Sequence, residues 1–285
     1  MNFQAFRPSV IHYGQEQLEI LTNGFADQIG HGGSGRVYKG KALDSEMAIA
    51  IKCLNEGERY IKMWKTELTL LNKFQHKNII NLVGYCPAYP SLAIMTEFME
   101  KGDLREHVDS DINWLLRVQI AYAVAKALRA VHAEGVTLHD FKTSNVLIDE
   151  DYTPKIGDFG IAVSEEIPVH WQLTGFGTYG YIDPMGPYDR GQKVDVFAYG
   201  QMLFELLAKE KYAGVVPSVQ GQLDYHFRDQ SFHQNFAEDP SYNIEDGKKL
   251  YQIAKECSTV IKERPKITAV VKKFKSLKVR KWLVT

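Results

Sequence analysis

The stretch from Val136 to Val163, VTLHDFKTSNVLIDEDYTPKIGDFGIAV, holds the densest chemistry in the chain. Asp140, Lys142 and Asn145 follow the spacing D-x-K-x-x-N, and Asp158-Phe159-Gly160 begins thirteen residues after Asn145. Moving a phosphoryl group needs a carboxylate to orient the attacking hydroxyl, cations facing the phosphate oxygens, and oxygen ligands for a divalent metal. Two aspartates, a lysine and an asparagine in this order supply those types. An Asp-Phe-Gly tripeptide alone arises readily by chance in an Asp/Asn-rich loop between strands. Here each motif is followed by a strand-like apolar run, Val146-Leu147-Ile148 and then Ile161-Ala162-Val163, and chance explains the ordered pair poorly.

Elements upstream must bring further groups to the same place. Residues 29–38 read IGHGGSGRVY, a G-x-G-x-x-G-x-V pattern formed by Gly30, Gly32, Gly35 and Val37. Glycines let a backbone close over phosphates with no Cβ in the way. Dinucleotide-binding folds share the glycines, but there a helix opens at once. Arg36–Lys39 and Met47–Leu54 instead read as two strands joined by a polar turn, which favours a glycine-rich hairpin over a nucleotide.

The second of these strands carries Ala50 and, near its end, Lys52, which is either a surface charge or a buried partner. A helix expected over Glu58–Phe74 places Glu67 on the stripe of Trp64, Leu68 and Leu71. A carboxylate on an inward stripe needs a partner, and Lys52 is the candidate.

Leu92–Met95 reads as a strand, with residues 96–102 an extended connector. Helices are expected at Gln15–Leu21, Asn113–Ala133 (stripe Ile120, Val124, Leu128, Val131) and Lys193–Ala208, the last fully buried. At least two more follow Tyr242, with Arg264-Pro265 between them, and residues 177–184 read as sharply turned. Strands early and helices late imply an α+β chain of two lobes. The expected divisions are an N-terminal extension (1–24), a small β-rich lobe with one helix (25–99), a larger mainly helical lobe (100–275) and a tail (276–285). The basic run Lys272–Lys281 reads as a solvated face.

With 285 residues, 45% of them hydrophobic and 24% charged, the composition is that of an ordinary globular protein. The net charge of −1 gives no global field favouring nucleic acid or an anionic membrane. Cys53, Cys86 and Cys257 are scattered and odd in number, which fits a reducing compartment without a disulfide framework. No apolar run approaches the roughly 20 residues of a membrane span. No signal segment opens the chain, and Asn2 stands where N-myristoylation needs glycine. The expected location is the cytoplasm, or the inner face of the plasma membrane through a partner or a segment outside this chain.

From about residue 20 to 275 the chain resembles a eukaryotic protein kinase domain and, within that superfamily, the plant receptor-like kinase/Pelle family. The strings that carry the resemblance are LTNGFADQIGHGGSGRVYKG (21–40), HKNIINLVGYC (76–86), FKTSNVLID (141–149) and GTYGYIDP (177–184). The resemblance implies a bilobal kinase fold that uses ATP and magnesium. It makes Asp140 the carboxylate at the substrate hydroxyl, Lys142 the cation near the γ-phosphate, and Asn145 with Asp158 the metal ligands. It makes Lys52 and Glu67 the pair that holds the α- and β-phosphates. Gly30, Gly32, Gly35, Val37 and Ala50 would surround the nucleotide. Thr96 would be the gatekeeper, unless it is an ordinary strand-end threonine, and Glu97 and Met99 would meet the adenine through their backbones. Lys142 and Thr178 imply a Ser/Thr rather than a Tyr kinase.

The family's H-R-D motif reads Leu138-His139-Asp140, so a phosphate on Thr174 or its neighbours finds no arginine there. Kinases of this non-RD kind are often associated with innate immune recognition. Leu138 is expected to stack with Phe159 and Leu71. The A-P-E motif reads Asp183-Pro184-Met185, which removes the carboxylate expected for Arg264. Either another carboxylate takes over or the activation segment is loosely held. These losses resemble plant pseudokinase adaptors that partner NLR immune receptors. Two functions follow: a Ser/Thr kinase acting on protein hydroxyls, or a nucleotide-binding adaptor. A dinucleotide-dependent oxidoreductase is the least supported, since no helix opens after the glycines.

Overall fold

The computed structural model describes residues 6–43, 45–172, 177–184, 191–211 and 231–283. Thr174 and Met185 lie outside the described residues. The small lobe is a six-stranded sheet in the order β1-β5-β6-β4-β3-β2. Its strands are β1 (Ile11–His12), β2 (Gln28–Gly32), β3 (Gly35–Lys41), β4 (Ala48–Leu54), β5 (Leu82–Cys86) and β6 (Ala93–Glu97). Side chains alternate across a strand, and β4 shows what this does. Ile49 and Ile51 point to one face, while Ala50, Lys52 and Leu54 point to the other.

Two helices cover the two faces. The first, α1 (Gln15–Leu21), buries Leu18 and Leu21 with Tyr13 against Ile49, Ile51, Val83 and Met95. The apolar pattern of β4 is satisfied only if something covers that outer face. Residues 11–21 supply the cover, with β1 adding a parallel strand beside β5. The opposite face receives α2 (Glu58–Lys73), whose buried stripe holds Met63, Trp64, Glu67, Leu68 and Leu71. Trp64 Nε1 donates to the Ala93 carbonyl at 3.0 Å, fixing the helix against β6.

The large lobe is built on α3 (Trp114–Ala133), α4 (Lys193–Ala208), α5 (Ile244–Cys257) and α6 (Ile267–Phe274). Asn113 caps α3, its side-chain oxygen accepting from Leu116 N at 2.9 Å. Buried nearly throughout, α4 sits at the centre of the lobe, as its apolar composition requires. A small hairpin, β7 (Val146–Ile148) with β8 (Pro154–Ile156), closes the lobe against the cleft.

Two expectations need correction. The apolar run after the Asp-Phe-Gly motif is not a strand; β7 pairs with Pro154–Ile156, which precedes Asp158. Ile161–Val163 is irregular, joined among the described residues by a bridge from Val163 to Thr137. Ile161 and Ala162 are buried in the core, while Val163 is half-buried. The strand before the connector also runs further than expected, through Glu97, because Thr96 pairs with both Ala50 and Leu82.

Candidate active site

Between the lobes lies a cavity of about 980 Å³. Into it open the β2–β3 hairpin (Gly30, Gly32, Gly35, Val37), Ala50 and Lys52 of β4, and Glu67 of α2. Thr96, Glu97 and Met99 line its back, and Asp140, Lys142, Asn145 and Asp158 its floor. A volume of this order suits a small organic ligand (roughly 300–1,000 Å³). At the hairpin tip, a Cβ on Gly35 would stand 2.0 Å from the Cys53 carbonyl oxygen. Glycine is therefore required there for β3 to approach β4.

Lys52 is the hub. Its Nζ lies 2.8 Å from Glu67 Oε2 and 2.9 Å from Asp158 Oδ1. Burial alone would pull the ammonium down, but the two carboxylates outweigh it and raise Lys52 above its ordinary range. Burial opposes ionisation of Asp158 as well, yet Lys52 holds its carboxyl below the usual range. Glu67, more deeply enclosed, is pushed up by burial against the pull of the same lysine. Lys52 and Asp158 form the ionised core of the cluster.

On the floor, Asp140 is held through both oxygens. Lys142 Nζ donates to Oδ2 at 2.6 Å, and Thr178 Oγ1 donates to Oδ1 at 2.7 Å. Lys142 also donates to Thr178 Oγ1 at 2.7 Å, closing a triangle. Asn145 Nδ2 donates to the Asp140 carbonyl at 2.8 Å, which leaves its amide oxygen to face the cleft. That oxygen and the carboxylate of Asp158 are hard donors of the type magnesium takes, so the residues present fit such an ion together with ATP.

The backbone carrying these groups is strained where it matters. His139 and Asp158 adopt left-handed φ of 65° and 56°, a conformation worth roughly 1–3 kcal/mol for such residues. Asp195, in the first turn of α4, over-determines the first of them. Its carboxylate accepts from Leu138 N at 2.8 Å, His139 N at 2.9 Å and His132 Nε2 at 2.9 Å. The same helix contributes Glu205, which accepts from Tyr181 OH, and Tyr181 in turn meets Thr143 Oγ1 at 2.8 Å. Neither carboxylate stands out in the sequence except as one of two acidic residues on a helix otherwise destined for burial.

Leu138 lies in the same buried apolar cluster as Leu71 and Phe159. Arg264 keeps a carboxylate: Nη1 donates to Asp183 Oδ2 at 2.8 Å, both side chains being almost wholly buried. Further bonds run to the carbonyls of Lys193 and Thr259. Asp183 thus takes the place expected to be empty.

The stretch after the Asp-Phe-Gly motif is tied to α2. Lys73 reaches Glu166 at 2.7 Å and Glu134 at 2.9 Å, and Lys65 Nζ lies 5.0 Å from the centre of the Trp171 ring. Gln172 Nε2 closes the loop on itself through the carbonyls of Ser164 and Ile167. At the back of the cavity, the Glu97 side chain turns away from the cleft to Lys155 Nζ (2.6 Å) and Asn81 N (2.7 Å). Its backbone carbonyl is therefore the atom through which Glu97 would meet an adenine.

A two-lobed fold with this cleft defines a protein kinase domain, and the family model for that domain matches residues 25–273. The chain belongs to the protein kinase family. Among curated proteins it is similar to the probable serine/threonine-protein kinase PBL15 of Arabidopsis thaliana, 32% identical over 304 residues, covering 96% of this chain and 71% of the relative. A putative receptor-like protein kinase of the same plant is 33% identical, with 90% and 63% covered. The serine/threonine-protein kinase PBL34 is 32% identical, with 91% and 59% covered. These relatives place the chain in the receptor-like kinase/Pelle group. The chain spans between about half and 71% of the length of the first relatives it matches.

Proposed function

We propose that the protein is a Ser/Thr protein kinase of plant receptor-like signalling, transferring the γ-phosphoryl group of ATP to protein hydroxyls. The observation that carries the reading is the Asp140–Lys142–Thr178 triangle, on the same cavity wall as Asn145 and Asp158. Asp140 is positioned to accept a hydrogen bond from an incoming hydroxyl and take its proton as the new O–P bond forms and the bond from the γ-phosphorus to the bridging oxygen breaks, ADP leaving with that electron pair. Lys142 compensates the charge that gathers on the transferred group. Lys52, kept charged by its two carboxylates, binds and orients the phosphates. Asn145 and Asp158 would hold magnesium, which when bound neutralises phosphate charge. The glycine hairpin covers the nucleotide and limits the access of water.

The adaptor reading loses support at two positions. Leu138 packs in the core, and Arg264 has a carboxylate partner. The reading puts the protein in the cytoplasm or, through a partner or a segment outside this chain, at the inner face of the plasma membrane, with protein substrates or an immune receptor as its partners.

The test is incubation of the purified chain with γ-labelled ATP, magnesium and mixed protein acceptors, followed by phosphoamino-acid analysis. Label on serine and threonine is the expected result. A magnesium-ATP thermal shift without label transfer would return the protein to the adaptor class.

A further inference from the structure

The near-zero net charge hides a segregated one. From Lys266 to Thr285 the sequence has seven lysines and arginines and no carboxylate side chain. This stretch is not a loose tail. Asp246, fully buried on α5, accepts from Lys278 N at 2.8 Å and Val279 N at 3.0 Å, while Leu277 and Leu283 are buried. Lys249 Nζ caps the Ser276 carbonyl at 2.7 Å. So anchored, the segment presents Lys275, Lys278, Arg280, Lys281 and Trp282 to solvent. Trp282 is 54% exposed, with Lys281 Nζ 5.1 Å from the centre of its ring.

The charged surface continues along α3. Gln119 Nε2 donates to the Trp282 carbonyl at 3.0 Å, and Tyr122 packs on Phe274 with ring centres 5.4 Å apart. Residues 119, 122, 126 and 129 fall on one stripe of that helix. The stripe therefore leaves the anchored segment and leads to Lys126 and the exposed Arg129, about 15 Å from Gln119 along the axis. Lys126 Nζ lies 4.9 Å from the centre of the Tyr122 ring, which keeps it on this stripe, and Lys77 is exposed. Burial, then the charges of Lys77 and Arg129, lower the Lys126 ammonium.

We infer that this flank, from Trp282 to Lys77, is a docking surface for an anionic phospholipid bilayer. Directed recognition of carboxylates favours the bidentate fork of arginine. Lysines predominate here, and point charges spread along a helix suit a diffuse anionic plane. Trp282 at one end has the amphipathic ring that settles at a headgroup boundary. The inference is independent of phosphoryl transfer, since none of these residues touches the cleft.

Co-sedimentation of the whole chain with vesicles tests it. Vesicles containing about one-third phosphatidylserine should bind, neutral phosphatidylcholine vesicles should not, and added salt should weaken binding. Each cation removed should cost roughly fivefold in partition. Lys275→Glu with Lys278→Glu at one end, and Lys77→Glu with Arg129→Glu at the other, should therefore each release the protein, with melting and the magnesium-ATP shift unchanged. Anionic vesicles should also shift tryptophan emission to the blue in the unsubstituted chain and less so in Trp282→Phe, a readout that needs no charge reversal. Equal binding to neutral vesicles, or binding indifferent to both reversals, would overturn the inference. So would binding to an acidic peptide or to RNA without binding to vesicles.

Discussion

Lys52 and Asp158, 106 residues apart in the chain, face each other across the cleft with Nζ and Oδ1 2.9 Å apart. One ammonium thereby ties the sheet of the small lobe to the loop that would hold metal. Lys52→Met should abolish the thermal shift given by magnesium-ATP and lower phosphoryl transfer by on the order of a hundredfold. A Lys52→Met variant with an undiminished shift would remove the lysine from the phosphate site.

The same contact predicts a pH response. Lys52 is raised in the folded state, so its contribution is complete below the unfolded pKa and fades only as pH climbs through the higher folded one. Asp158 is depressed, so its contribution holds above the unfolded pKa and fades as pH falls through the lower folded one. Between about pH 6 and about pH 9 neither limit is reached. In a Glu67→Gln background, which removes the neighbouring carboxyl that burial pushes up, the melting difference between Asp158 and Asp158→Asn should therefore stay flat over that range; a marked slope would mean the pair is not ionised.

Asp183 and Arg264 are a buried pair, and removing one member of such a pair typically costs about 3–5 kcal/mol. Asp183→Ala should unfold in urea with a loss of that order, and Asp183→Asn with less, because the amide still accepts a hydrogen bond. A loss under about 0.5 kcal/mol for the alanine variant would show that Lys193 and Thr259 carbonyls suffice.

Asp195 holds the catalytic loop through two backbone N–H groups without touching the cavity. Hydrogen bonds to a charged partner are each worth about 1.5–3 kcal/mol. Asp195→Ala should therefore reduce kcat by on the order of a hundredfold while magnesium-ATP affinity changes little. Parallel loss of affinity and kcat would indicate collapse of the lobe instead.

Burial pushes the Cys53 and Cys257 thiols up to about 12, and Cys86 is raised as well. At about pH 8 a thiol of that kind is ionised about once in ten thousand molecules, and the thiolate is the reactive form. Iodoacetamide should leave the native protein unlabelled and modify all three cysteines after denaturation. Rapid native labelling would contradict the burial of Cys86 and Cys257, or the raised thiol of the half-buried Cys53.

Much of this architecture is legible in the sequence because it rests on local patterns. The stripe of Trp64, Glu67, Leu68 and Leu71 announces both α2 and its inward carboxylate, and the uninterrupted apolar run of α4 announces a central helix. What stays illegible depends on distant partners. Nothing near Asp183 indicates that it meets an arginine 81 residues later. Nor does Asp195 announce that it caps a loop 56 residues earlier. Ile161–Val163 carries the composition of a strand, yet its pairing among the described residues is a single bridge to Thr137, which sequence composition does not foretell. The mostly polar residues 11–17 conceal a structural role for the same reason: Tyr13, followed by Leu18 and Leu21, makes its buried contacts with Ile49, Ile51, Val83 and Met95, far along the chain.

The most direct test of the central claim compares the unsubstituted protein with Asp140→Asn, measuring transfer of labelled phosphate beside the magnesium-ATP thermal shift. The account predicts equal shifts and a transfer rate lower in the variant by on the order of a thousandfold. Equal transfer by both proteins, or none by either, would contradict it.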